Sequence, residues 1–439
     1  MERTLIFIST VMSTLTATAQ AGRIDYTEFD LDNGLHVIIH EDHTTPIVAV
    51  GVMYHVGSKD ERPDRRGFAH FFEHLLFEGS EHIDRGEFSK YVEKAGGVLN
   101  ANTNGDRTYY YEVLPSNQLE LGLWLESERM LHAKVDQKGV DTQREVVKEE
   151  RRQRYENRPY GSILIEVLDR AYNKHPYKWP TIGFMEDLNA ASEADYQEFY
   201  KRYYVPNNAV LVLAGDMDPK EARRSVEKYF ADIPAGAKIE RTSVEEPPLE
   251  HEIRDVVYDK IQLPAVVQAY RIPAYGTKEY YAVDMLNRLL SQGNSSRLQK
   301  NVKDEQGKAL MVGAFTLPFE HPGIAIAFAV SNMGVSPEEL ERAMDAEYAR
   351  VRDERVGKGE LIKLKAQLES ELVRENSQVS GIASSLASAY TFLGETAMVN
   401  KEIENYLQLT AEDLQAAARK YFDPSRRVVL HYLPQSQKQ

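Results

Sequence analysis

The chain has 439 residues, no cysteine and a formal net charge of −15, from 68 acidic against 53 basic side chains. That length leaves room for two domains or more. The acidic balance argues against a nucleic-acid partner, which wants a basic face, and suits cationic peptides. The absence of cysteine excludes a disulfide framework and a thiolate metal site.

The amino terminus opens with Met1-Glu2-Arg3, runs through an apolar stretch from Leu5 to Leu15, and reaches Ala19-Gln20-Ala21. An A-x-A pattern after a short apolar segment predicts a signal peptide over residues 1–21 and a mature start near Gly22. The expected location is a bacterial periplasm or the outside of the cell. No later stretch reaches the length of a membrane span. His36, His40 and His43 follow at strand-like spacing near a loop and read as surface residues.

His70-Phe71-Phe72-Glu73-His74 comes next. Two imidazoles and a carboxylate at i, i+3 and i+4 share one face of a helix. The flanks suit that helix: Arg66-Gly67 precedes it, and Phe68, Phe71, Phe72, Leu75, Leu76 and Phe77 bury it. Two imidazoles on adjacent turns can grip one zinc ion, and the carboxylate beside them can take a proton from an attacking water. The order H-x-x-E-H reverses the commoner H-E-x-x-H and marks the inverted zinc peptidases.

Val98 to Thr103 and Thr108 to Val113 predict two short strands joined through Asn104-Gly105-Asp106. An edge strand there would pair with an extended peptide through its backbone. A zinc site also needs a third protein ligand from elsewhere. The segment from Gln143 to Arg152 is rich in helix formers and places Gln143, Val146, Val147 and Glu150 on one face. Glu150 is expected beside the buried valines, whereas Glu145 and Glu149 pair outward with Lys and Arg.

The second half echoes the first. Asp195-Tyr196, Arg202 to Pro206 and Val210-Leu211 return at an offset of 218 as Asp413-Leu414, Lys420 to Pro424 and Val428-Val429. Each copy reads as an amphipathic helix, a Pro-broken turn and a β-branched strand. Between them Glu245 to Glu250 reads as a polar, Pro-bearing linker. An offset of 214 places Asp284, Asn287 and Arg288 opposite His70, Glu73 and His74, so the chemistry is expected only in the first half.

In combination these residues resemble the pitrilysin, insulysin and mitochondrial-processing-peptidase family. The resemblance covers nearly all of the mature chain. It includes Leu31 to Leu35, Gly57-Ser58, Gly67 to Gly79, Gly96-Gly97, Asn100 to Thr103, Val146 to Glu150, His175 to Tyr177 with Gly183, and Tyr204 to Ala209. It implies an α+β fold of two homologous domains, each a mostly antiparallel sheet with helices packed on one face, together forming half of a clamshell chamber. The expected boundaries are a catalytic domain over 22–244, a linker over 245–250 and a second domain without zinc over 251–439. It further implies one Zn2+ per chain held by His70, His74 and Glu150, with Glu73 as catalytic base, Gln143 behind the metal where the family often has Glu, and Asn100 and Ala101 on the substrate-binding edge.

Active relatives in this family also need an Arg and a Tyr seven residues apart in the carboxyl half. Those positions align with Lys303 and Leu310. Lys lacks the planar fork of Arg, and Leu has no hydroxyl to donate. The chain therefore resembles the zinc-bearing subunit of bacterial heterodimeric members, and a related subunit is expected to bring the missing pair to peptide substrates. Two other readings stay open: a non-catalytic structural subunit, and a module that captures peptides without cutting them.

Overall fold

The computed structural model describes residues 23–241 and 244–438, so the expected signal peptide lies outside the described residues. The first half is built on a six-stranded sheet of β1 (Thr27–Asp30), β2 (His36–Glu41), β3 (Ile47–Tyr54), β4 (Val98–Thr103), β5 (Thr108–Pro115) and β6 (Ala209–Gly215). Their order is β1-β2-β6-β3-β5-β4, which leaves β4 at an edge. The second half has β7 (Ile253–Asp259), β8 (Ala265–Ile272), β9 (Ala309–Leu317), β10 (Gly323–Ser331) and β11 (Val428–Pro434) in the order β7-β11-β8-β10-β9. β6 and β11 are counterparts. Each pairs parallel with the strand on one side and antiparallel with the strand on the other.

The repeated segments show how the duplication is written locally. Ser192 and Asp195 close a reciprocal cap on the helix Glu193–Tyr203, and Thr410 and Asp413 do the same for Ala411–Tyr421. Pro206 and Pro424 then open short turns that lead into β6 and β11.

Alternation along β3 decides what covers each side of the first sheet. Val48, Val50, Val52 and Tyr54 pack into the core under that half's own helices. Ala49 and Met53 face the other way, onto Val379, Ile382, Ala383 and Leu386 of the helix Val379–Leu393 from the second half. The second sheet receives the reverse loan: Val267, Ala269, Ile324 and Ile326 pack on Val167, Leu168 and Ala171 of Ile163–Ala171. Each half thus keeps its own helices on one face of its sheet, as expected, and takes one helix from its counterpart on the other.

His36 departs from its expected place. Its ring is buried, stacked on Tyr390 of the loaned helix at 3.6 Å, with Nδ1 2.8 Å from Asp30. His40 is partly covered, and His43 is exposed as expected. Between Phe230 and Ile253 the described residues form no helix or strand, yet the connection is not loose. Within it Glu246 accepts from the backbone N–H groups of Asn173, Lys174 and His175 and pairs with Arg271. No helix among the described residues is long and apolar enough to cross a membrane.

A polar lock joins the halves. Glu320, in the turn between β9 and β10, reaches His55 at 2.5 Å and the buried Lys59 at 3.0 Å. Burial pushes the Glu320 carboxyl up, but the His55 hydrogen bond and the Lys59 charge outweigh it and hold the group at about 2, against an ordinary 4.5. A depressed carboxylate stabilises the fold above its unfolded value, and the contribution is lost as pH falls through the folded one. Thermal stability is therefore expected to fall between pH 4.5 and 2 more steeply in the parent than in Glu320→Gln. Melting curves across that range, parallel for the two proteins, would contradict it.

Candidate metal centre

The motif forms the helix Phe68–Leu75. Its first turn has no side-chain cap of its own; instead Glu61 accepts from the N–H groups of Gly67 at 2.8 Å and Ala69 at 2.9 Å. The Glu61 oxygens satisfy donors that the helix cannot pair itself, although burial pushes the carboxyl well up from its ordinary value. Phe68 and Phe71 stack on Tyr196, and Phe72 stacks on Phe199, which seats the apolar face and turns His70, Glu73 and His74 toward the opposite side.

Gly67 and Gly183 must both be glycine for this contact. The Gly67 φ is +97°, and a Cβ on it would lie 2.8 Å from the Gly183 Cα. The loop at Gly183 also accepts a hydrogen bond from Arg151 at the end of the helix Gln137–Arg151. One turn of chain thereby sets the motif helix against the helix that bears Glu150.

Glu150 Oε2 lies 3.4 Å from His70 Nε2 and 3.1 Å from His74 Nε2. One ligand atom from each residue falls within 4.8 Å of the others, a spacing that can hold a metal ion. Glu150 Oε2 is buried without a hydrogen-bond partner, while its other oxygen meets Arg154 at 2.8 Å. Burial pushes the Glu150 carboxyl up, but the two imidazoles facing it outweigh this and hold it far below the usual carboxylate range. A half-buried anion facing two ring nitrogens is an electron-rich pocket suited to a cation. Glu145 and Glu149 turn outward to Lys148 and Arg152, as expected. Val146 does not join Val147 in the core; it is 44% exposed, because only the narrower stripe through Val140 and Val147 meets the motif helix.

Glu73 Oε2 accepts from the Thr103 hydroxyl at 2.7 Å. Glu73 and His74 line a groove of about 500 Å³ with Ser89, Glu93 and Val98 to Ala101, so Asn100 and Ala101 sit on the same open edge as the motif. Gln143 donates to Glu78 at 2.6 Å, not to His70, His74 or Glu150 among the described residues, and Glu78 pairs with Arg85. Sequence reasoning did not single out Thr103, Glu78 or Arg154. Their roles arise from contacts between distant segments, although Arg154 stands one helical turn after Glu150.

The second half keeps the frame of this site with different chemistry. On the helix Lys278–Ser291, Arg288 pairs with Asp284 at 2.7 Å and with Glu371, while Tyr406 and the Thr316 hydroxyl donate to Asp284. A guanidinium supplies the cation there. A larger cavity of about 700 Å³ adjoins Arg288 and Glu371, and among the described residues no set of His, Asp and Glu in this half has metal-binding spacing. Lys303 lies on the π-helical segment Leu298–Glu305, and Leu310 is 56% exposed on β9; neither lines the groove beside Glu73.

Residues 36–183 match the family Insulinase (Peptidase family M16), and residues 190–368 match the Peptidase M16 inactive domain. Zinc protease PqqE of Helicobacter pylori is 29% identical over 442 residues, covering 99% of each chain. An uncharacterized zinc protease of Bacillus subtilis, YmxG, is 23% identical and covers 90% of this chain and 95% of its own. Among solved structures, a protease from Helicobacter pylori superposes with a TM-score of 0.90 at 28% identity, over 94% of this chain and 100% of that one. The periplasmic protease PqqL of Escherichia coli gives 0.75 at 21% identity, over 93% of this chain and 47% of that one. The first matched region spans the H-x-x-E-H helix and Glu150, and the second spans most of the half in which an arginine takes the cation's place. The chain belongs to the insulinase family, peptidase family M16.

Proposed function

We propose that this chain is a zinc-dependent endopeptidase that hydrolyses peptides or small unfolded polypeptides. The observation that carries the reading is the convergence of His70, His74 and Glu150 beside a groove that His74 and Glu73 line and whose wall is a sheet edge. The named zinc proteases among its relatives support zinc as the ion, one per chain, at those three residues. Bound there, zinc would act as a Lewis acid and make a water acidic enough to attack at neutral pH.

The chain's own residues divide the remaining work. β4 offers backbone donors and acceptors to an extended peptide, with Asn100 and Ala101 at the contact. Glu73 takes a proton from the attacking water and passes it to the leaving amine. The Thr103 hydroxyl holds Glu73 in place. Glu61 and the Gly67–Gly183 contact fix the helix from which these groups project. Gln143 acts at most through Glu78, without adding charge.

A related subunit completes the site. Lys303 and Leu310 cannot donate as an Arg/Tyr pair would, and loss of an oxyanion donor costs about 2.7–4 kcal/mol. The chain covers only 47% of PqqL, which leaves room in that longer polypeptide for a second unit of this size. Purified alone, the chain is expected to cleave peptides about 10²–10³-fold more slowly than with its partner. Full activity in the isolated chain would remove the partner from the scheme. The amino-terminal pattern and the periplasmic location named for PqqL support export, which amino-terminal sequencing of the mature protein tests.

A second reading, capture without cutting, rests on the same Lys303 and Leu310 departures. It predicts bound peptide with no new termini by mass spectrometry, even with the partner present.

A further inference from the structure

We propose that the chain has a second cation site, formed by His82, Glu128 and His132, which takes Zn2+ and ties the loop after the motif helix to the end of the helix Leu119–Leu131. One ligand atom from each of the three lies within 4.8 Å of the others. The imidazoles meet edge to face with centroids 5.1 Å apart, and both reach the surface, with side chains 55% and 31% exposed. Glu128 lies beneath them at 7%.

The electrostatics call for a cation. Glu128 is in the last turn of its helix, where the dipole disfavours an anion. Its sole ion-pair partner among the described residues is His82, at 2.9 Å from Nδ1. Its remaining contact is a hydrogen bond from the Ser80 hydroxyl. With His82 neutral, a buried carboxylate is left without a counter-charge, which is costly unless an ion supplies one.

The frame is set before any ion arrives. Ser80 and Ala133 form an isolated antiparallel bridge, Glu81 N–H donates to the His132 carbonyl at 2.9 Å, and Lys134 N–H donates to the Gly79 carbonyl at 3.0 Å. Glu81 lies 3.1 Å from His132 Nδ1, so its carboxylate orients that ring and leaves Nε2 free to ligate. Two imidazoles and one carboxylate suit Zn2+, and the exposed side admits water as a fourth ligand.

The site is independent of the one assigned to catalysis, and the two can be emptied separately. Full-length chain, stripped with chelator and dialysed against micromolar Zn2+, is expected to hold two equivalents by atomic spectrometry. His82→Gln/His132→Gln should hold one and keep the parent's peptide turnover. His70→Gln/His74→Gln should also hold one, and its melting temperature should still rise with added zinc. One equivalent in the parent that disappears in His70→Gln/His74→Gln, or two in His82→Gln/His132→Gln, would overturn the second site. One equivalent in the parent that persists in His70→Gln/His74→Gln would instead count against the catalytic assignment.

Discussion

Glu73→Gln is expected to retain the parent's zinc content and to lose about 10²–10⁴-fold in kcat, the usual contribution of a positioned general base. The substitution preserves size and the Thr103 contact, because the amide oxygen can still accept the hydroxyl hydrogen bond of 2.7 Å. It removes the group that can take a proton. KM should change little, since the peptide contacts assigned to β4 are untouched. Thr103→Val gives the complementary result: Glu73 keeps its charge but loses its tether, so a smaller fall in kcat is expected with zinc unchanged. Both variants should be assayed in whichever assembly gives the parent measurable turnover, with metal content read on the same samples. Parental turnover in Glu73→Gln would remove this residue from the chemistry. Loss of zinc along with turnover would instead place it among the ligands.

Much of this arrangement was legible in the sequence because it is written in local spacing. The i, i+3, i+4 pattern at His70, Glu73 and His74 fixes a shared helix face wherever the helix lies. The edge hairpin around Asn104-Gly105-Asp106 and the paired copies ending in β6 and β11 are equally local, each a helix, a proline turn and a strand. The exchange of Ile163–Ala171 and Val379–Leu393 between halves was not legible, because an amphipathic helix says only that it needs an apolar surface, not which sheet provides it. The same exchange buries His36, whose strand-like spacing gives no hint of a tyrosine arriving from residue 390. Val146 failed for a different reason. Helical spacing places it near Val147, but two packed helices meet along a narrow seam, and Val146 lies just outside it. Gln143 is half-buried, but its partner Glu78 comes from beyond the end of the motif helix, which spacing does not reveal.

Arg129→Met is expected to destabilise the first half by about 3–5 kcal/mol, the cost of removing one member of a buried ion cluster. Arg129, Glu112 and Glu126 all have fully buried side chains. The guanidinium contacts both Glu126 oxygens at 3.0 and 3.1 Å and lies 3.5 Å from Glu112. Burial first, and the neighbouring Glu126 charge second, push the Glu112 carboxyl well above its ordinary range, while Arg129 pulls it back. Arg129 also donates to the Leu76 carbonyl at 2.9 Å and lies against the rings of Phe77, Phe88 and Tyr110. Tyr110 in turn donates to the Phe72 carbonyl. The cluster therefore grips the carboxyl end of the helix that bears His70 and His74, so the effect should reach the metal. Denaturant unfolding should show the stability loss, and zinc affinity should fall with it. Adding Glu112→Leu and Glu126→Leu to Arg129→Met removes the orphaned carboxylates and should restore much of the stability. Because an apolar cluster cannot bond the Leu76 carbonyl, zinc affinity should recover less than stability does. A cost below about 1 kcal/mol for Arg129→Met alone would show that these carboxylates do not depend on the guanidinium.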